Sequence, residues 1–237
     1  MNEDSGTPNT PASPGTEIDF STVIASAVHD MKNSLGMLLN SLDELRDELP
    51  AAQSSERFST LQYEAQRVHV DLIQLLGLYR LQQKTLSAHI DEHFVPDFLD
   101  EHLAQHRVVA EARGLTLEVD ADPISGFFDA DLISGVLNNI LNNAIRYTRT
   151  KIHVTAREQD GFLVLAVEDD GDGFPAEMQA APEKTRQGID FTTGSTSLGI
   201  YFSARIAGMH QHDGRSGEIK LSNSGKLGGG LFEVWLP

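Results

Sequence analysis

Between Phe20 and Leu49 the apolar positions Val28, Met31, Leu35, Leu38, Leu42, Leu45 and Leu49 recur at a 3-4-3-4-3-4 spacing. That rhythm predicts a long helix with one apolar seam. Asp19 or Ser21 is placed to cap its start, and Pro50 marks its end. A second run repeats the rhythm at Phe58, Leu61, Ala65, Val68, Leu72, Leu75 and Tyr79. Two such helices joined by a short turn near residues 50–55 make an antiparallel hairpin. One hairpin leaves part of each stripe wet, whereas two hairpins from two chains close a four-helix bundle, so a homodimer is expected.

Beyond Thr85 the pattern changes. Residues 85–95 read as a linker merging into an edge strand. Residues 96–113 read as a helix stopped by Gly114. Leu115 to Val119 alternates like a strand, and residues 130–147 form another helical pattern. Lys151–Arg157 and Gly161–Glu168 read as a hairpin turned by Gln159-Asp160-Gly161. Residues 169–195 are polar, with Gly and Thr, and carry no periodicity. Residues 197–209 are helical, and 218–222 and 231–236 are closing strands. The expected fold class is α plus α/β: a helical hairpin, then an α/β sandwich. The expected units are a disordered tail at 1–16, the hairpin at 17–84, the linker at 85–95 and the α/β domain at 96–237.

Charge and composition narrow the function. The formal net charge is −17, from 35 acidic and 18 basic residues. Nonspecific nucleic-acid binding needs clustered Lys and Arg, so no nucleic-acid partner is expected. Cysteine is absent, which excludes disulfides, thiolate nucleophiles and Cys metal sites. The first sixteen residues carry no Lys, Arg or apolar run, and are neither a signal nor a transit peptide. No stretch approaches the about 18 apolar residues of a membrane span, so a cytoplasmic protein is expected.

Two groups of residues carry chemistry. The first is His29-Asp30-Met31-Lys32-Asn33-Ser34. With Val28 and Met31 in the seam, His29 and Asp30 fall just off it, and Asn33 lies one turn beyond His29 on the same face. Gly36 and Asn40 continue a small, polar face suited to docking. A neutral imidazole is a competent nucleophile near neutral pH. An adjacent carboxylate can orient its other ring N–H, and an Asn can orient a water for attack on a phosphoryl group. The remaining histidines at 69, 89, 93, 153, 210 and 212 read as solvated surface. His102 and His106 stand one turn apart without an evident third metal ligand.

The second group begins with Asn139, Asn143, Arg146 and Tyr147 on one helix. Amide oxygens suit Mg²⁺, Arg suits a phosphate, and Tyr can pack on a base. It continues with Asp169-Asp170-Gly171-Asp172-Gly173 after a strand, where glycines permit a tight turn and close approach to a ligand. A calcium loop is a poor alternative, because Ala180 stands where its terminal Glu belongs.

In order and spacing the two groups resemble the transmitter half of bacterial two-component sensor histidine kinases, with the nucleotide boxes of the GHKL ATPase superfamily. The resemblance covers residues 20–237. It implies a dimeric four-helix bundle followed by a GHKL-type α/β sandwich. It implies His29 as phosphoacceptor, Asp30 as its acid/base partner and Asn33 as a phosphatase residue, with Ser34 where the family usually has Pro. It implies ATP and Mg²⁺ as cofactors. Asn143 would hold Mg²⁺, with Asn139, Arg146 and Tyr147 beside the nucleotide. Asp169 would accept the adenine amino group, and Gly171 and Gly173 would shape the pocket. The family's second glycine box reads Gly-x-Gly-Leu-Gly-Leu; here it is Ser195-Thr196-Ser197-Leu198-Gly199-Ile200. Leu198 and Gly199 keep the box, while two glycines are replaced by serine.

The implied function is autophosphorylation of His29 from Mg-ATP and transfer to an Asp of a response-regulator receiver domain, with an upstream sensor protein supplying the input that this chain has no room to sense. The alternative is a histidine phosphotransferase on a kinase-like frame, with a weakened or inactive nucleotide site. A third reading is an interaction module in which His29 is incidental.

Overall fold

The computed structural model describes residues 20–48, 56–83, 86–180 and 196–237. The tail, the cap at Asp19, the turn at 50–55, Thr85, the stretch 181–194 and Ser195 lie outside the described residues.

Helices α1 (Phe20–Glu48) and α2 (Glu56–Gln82) form the expected hairpin. The apolar residues of the hairpin divide between two faces. Val28, Leu39, Ala65 and Leu76 are buried, whereas Met31, Leu38 and Leu45 on α1 and Leu61, Val68 and Leu75 on α2 are exposed at seven-residue intervals. Gly36, expected on a wet face, packs on the His69 ring of α2, 3.6 Å from where its Cβ would stand. The hairpin turns that side of α1 toward its own neighbour.

The chain then enters β1 (Asp91–Phe94), α3 (Val95–Ala112), β2 (Thr116–Ala121), β3 (Ser125–Phe128) and α4 (Ala130–Tyr147). β4 (Lys151–Gln159), β5 (Phe162–Asp169), α5 (Ala176–Ala180), α6 (Thr196–Ala207), β6 (Gln211–His212), β7 (Arg215–Ser216), β8 (Glu218–Ser222) and β9 (Leu231–Leu236) follow. The main sheet has the order β2-β4-β5-β9-β8. Only β2 and β4 pair parallel in it. The expected edge strand β1 does not join this sheet; it pairs with β3 in a separate ribbon. The β4–β5 turn is as expected: Asp160 and Gly161 both have positive φ, 54° and 73°, as a two-residue hairpin turn requires.

Alternation along the strands sends Ile152, Val154, Leu165, Val167, Phe232 and Val234 into a core with Leu99, Leu103, Leu137, Leu141 and Ile206 of α3, α4 and α6. The opposite face carries cross-strand ion pairs, Glu118–Lys151 and Arg157–Glu233, each at 2.7 Å. The end of α2 leans on the same core through Leu78 and Leu81. Among the described residues no helix is long and apolar enough to cross a membrane.

Four histidines expected at the surface are engaged instead. His69 is half-buried. His93 packs, tilted, against Phe98 and Phe128. His153 stands between two carboxylates. His210 is 2 % exposed, with Nδ1 at 2.9 Å from the Ile206 carbonyl and Nε2 accepting the Asp129 N–H at 3.1 Å. Burial holds this imidazole below its ordinary pKa. His102 and His106 spend Nδ1 on carbonyls of their own helix, and among the described residues no group of three His, Asp or Glu side chains is placed to hold a metal ion.

Candidate functional site

β5 ends at Asp169, and the last turn of α4 stops beside it. Asp129 starts α4 by capping Leu132 N–H at 2.9 Å. At the other end of the helix Asn143 is half-buried, while Arg146 and Tyr147 are exposed, with the guanidinium 5.0 Å from the Tyr147 ring centroid. The chain turns back through Thr148 into β4.

The adjacent acids Asp169 and Asp170 do opposite things, because successive residues of an extended chain point to opposite sides. Asp170 turns to the α4–β4 connection. It accepts the backbone N–H groups of Arg149 (2.9 Å), Thr150 (2.9 Å) and Lys151 (3.2 Å) and the Thr150 hydroxyl. Burial acts to raise its pKa, but these donors outweigh it and hold the carboxyl far below its usual range. Asp172 extends this anchor by pairing with Arg149.

Asp169 faces the same side of the sheet as Leu165 and Val167. Its Oδ1 accepts Gly171 N–H at 2.7 Å and Gly230 N–H at 3.2 Å, and no donor among the described residues meets Oδ2. Burial pushes its carboxyl upward, against those two donors, and the neighbouring Asp170 and Glu168 add to the rise. Glycines crowd it. A Cβ on Gly171 would overlap the Tyr147 carbonyl, and one on Gly229 would stand 2.5 Å from the Asp169 carbonyl. A Cβ on Gly230 would stand 2.9 Å from Oδ2. Gly173 has φ 77° and rests on Asn223. Asn223 clamps Phe174 by accepting its N–H at 2.7 Å and donating to its carbonyl at 2.9 Å. The result is a carboxylate walled by backbone, with one oxygen unbonded among the described residues.

Asn139 is placed differently from Asn143. It is buried between α2 and α6, where Gln74 Nε2 donates to its Oδ1 at 2.7 Å and its Nδ2 approaches Ser203 Oγ at 3.5 Å. Gly199 is pressed onto that side chain, where any Cβ would overlap it. Leu198 is half-buried one residue earlier. Thr196 and Ser197 open α6. Phe202 likewise sits against Gly77 of α2, with its ring 2.7 Å from where a Cβ would stand.

On α1, His29 is half-exposed. Its Nδ1 lies 3.3 Å from Asn33 Nδ2 and 3.7 Å from Asp30 Oδ1, so the three residues do form one group. Ser34 bonds back to the Asp30 carbonyl at 2.9 Å. The helix runs through this position to Glu48 without the break a proline would impose. The acceptor group and the nucleotide group lie on separate elements, and α2 packs against both α1 and α6.

Residues 128–237 match the profile of the histidine kinase-, DNA gyrase B- and HSP90-like ATPase family, which takes in Asn139, Asn143, Asp169 and both glycine-bearing loops. The chain is similar to the transmitter core of sensor histidine kinases. It is 24% identical over 216 residues to the sensor protein PhoQ of Escherichia coli K12 and to the virulence sensor histidine kinase PhoQ of Salmonella typhimurium. Those alignments cover 91% of this chain and 43% of each relative, so the chain spans less than half their length. The fold matches the Acinetobacter baumannii histidine kinase AdeS with a TM-score of 0.59 at 18% identity, over 88% of this chain and 96% of that one. It matches the catalytic domain of histidine kinase ThkA with a TM-score of 0.53 at 22% identity, over 63% and 97% of the two chains. Residues 128–237 therefore have the α/β fold of that ATPase family. Gln74, Glu168 and Asp170 are site-supporting residues that sequence reasoning missed; each acts through a partner far away in the chain.

Proposed function

We propose that the protein is a homodimeric histidine kinase that phosphorylates its own His29 from Mg-ATP and passes the group to an aspartate of a response-regulator receiver domain. Residues 17–84 serve as the dimerisation and acceptor unit, 85–95 as linker and 96–237 as the nucleotide unit. The observation that carries this reading is Asp169: one carboxylate oxygen held by two backbone N–H groups and the other meeting no donor among the described residues, in a glycine-walled recess. Such an oxygen suits the amino group of adenine. Tyr147 offers an exposed ring for the base and Arg146 a charge for phosphate. Asn143 supplies one neutral oxygen, which fits Mg²⁺, an ion that takes most of its ligands from phosphate and water.

At the acceptor, a proton on Nδ1, with Asp30 Oδ1 3.7 Å away, leaves the lone pair on Nε2. The Asn33 amide accommodates this by presenting its oxygen. Nε2 attacks the γ-phosphorus, the bond to the β–γ bridging oxygen breaks, and ADP departs. Asn33 also stands where it can hold a water for the reverse, hydrolytic reaction. The exposed heptad rows at Met31, Leu38, Leu45 and Leu61, Val68, Leu75 support pairing of two hairpins into a four-helix bundle. Input from a separate sensor protein completes the reading.

Engagement of Asn139 by Gln74 favours the second reading, a histidine phosphotransferase with a weakened nucleotide site. Incubation with γ-labelled ATP and Mg²⁺ separates the two. Acid-labile, base-stable label on the wild type, absent from His29→Ala and Asn143→Ala, is the kinase result. A folded dimer that takes no label from ATP, yet exchanges phosphate with a phosphorylated receiver domain, is the phosphotransferase result.

A further inference from the structure

Asp169 depends on a loop, and that loop is held by the residue before it. Glu168 lies on the sheet face opposite the core, yet it is only 7 % exposed. Its Oε2 accepts the backbone N–H groups of Lys226 at 2.8 Å and Leu227 at 3.5 Å. The backbone of Gly225 is laid against the same oxygen, 2.5 Å from where its Cβ would stand. Its Oε1 faces His153 Nδ1 at 3.1 Å, and His153 Nε2 faces Asp120 Oδ2 at 2.8 Å. Two residues beyond Leu227, Gly229 N–H reaches the Asp169 carbonyl at 3.0 Å, and Gly230 N–H then reaches Asp169 Oδ1 at 3.2 Å. The connection from β8 to β9 is thus fixed at Asn223 by Phe174, in its middle by Glu168, and at its end by Asp169.

We propose that Glu168 is a positioning residue for base recognition: by holding residues 225–227 it sets Gly230 N–H on one oxygen of Asp169 and keeps the other turned toward the purine. His153 and Asp120 hold Glu168 in turn. This rests on the reading of Asp169 as the adenine acceptor. A carboxylate that only stabilised the sheet would weaken folding without regard to the base bound. A positioning role weakens ATP, which offers a 6-amino donor, and spares ITP, which presents a carbonyl at that position.

The test is calorimetric binding of ATP and of ITP, each with Mg²⁺, to the full chain as wild type, Glu168→Ala, Glu168→Gln, Gly225→Ala and Asp169→Ala, with thermal unfolding recorded beside it. Glu168→Ala is expected to weaken ATP by about tenfold, the effect of one misplaced hydrogen bond to a charged group, and to change ITP by less than about twofold. Glu168→Gln keeps an oxygen for Lys226 and Leu227 and restores most of the preference. Gly225→Ala leaves the carboxylate in place but displaces the loop, so it shows the same base-selective loss and carries the test if Glu168→Ala does not fold. Equal weakening of ATP and ITP, or a change in unfolding alone, overturns the positioning role while Asp169→Ala still abolishes the preference. If wild type shows no preference for ATP, or Asp169→Ala retains one, the adenine reading itself fails and this inference falls with it.

Discussion

Replacing Asp170 should destabilise the α/β domain more than replacing its neighbour Asp169. Asp170 accepts three consecutive backbone N–H groups and one hydroxyl, all from the segment joining α4 to β4. Hydrogen bonds to a charged acceptor are worth about 1.5–3 kcal/mol each when dry, but at a wet edge water replaces most of that, leaving about 2 kcal/mol for the set. For a chain of this size that lowers the unfolding midpoint by about 4–8 °C. Asp170→Asn keeps an oxygen and loses the charge, so it should fall between the two. The gap between wild type and Asp170→Ala has a defined pH dependence. The native carboxyl is depressed, so its contribution is complete above the ordinary carboxylate pKa of about 4 and is lost as pH falls below it. Asp169 is pushed the other way by burial, and its removal should move the midpoint less than Asp170→Ala does. Urea and thermal unfolding followed by circular dichroism at pH 7, 4 and 3 would measure all of this. Equal midpoints for wild type and Asp170→Ala at pH 7, or a gap that widens below pH 4, would refute the anchor role.

Gly199→Ala drives a methyl into Asn139, which Gln74 and Ser203 hold in place, and should cost about 1–3 kcal/mol by urea unfolding; an unchanged midpoint would mean α6 can slide on α4. His210 is kept neutral by burial beside Asp129, while the unfolded chain takes up a proton below about pH 6.5, so wild type should lose stability relative to His210→Gln as pH falls from 7.5 to 5.5; parallel midpoints at both values count against this. The double change Leu38→Glu, Val68→Glu puts charges on both exposed heptad rows, and light scattering should report a monomer with its helical signal retained; a persistent dimer would place the interface elsewhere.

The long-range order was legible wherever periodicity persisted. The seven-residue rhythm announced α1 and α2, and Asp160-Gly161 fixed the β4–β5 turn. β3, at four residues, and the two-residue strands β6 and β7 are too short to show any period, and they exist only because partners pair with them. The order of the acceptor and nucleotide motifs was readable because each is local. What was not readable is how those motifs are held. Nothing in the pair Asp169-Asp170 says which acid faces the recess, since that follows from the register of β5. Glu168 finds Lys226 across 58 positions and Gln74 finds Asn139 across 65, and only tertiary pairing brings such residues together. The histidines misjudged as solvated share this cause: burial of a ring is decided by its neighbours in space.

Gln74 and Leu75 are consecutive on α2, so they point about 100° apart around the helix. One closes on Asn139 and the other belongs to the exposed apolar row. The two surfaces are therefore geared to a single shaft. Adding two residues between Val68 and Gln74 would swing the upstream row by about 200° against the Gln74 contact, while adding seven would shift it by only about 20°. Insertions into α2 obey that phase rule: whole heptads preserve the gearing, and intermediate lengths strip it.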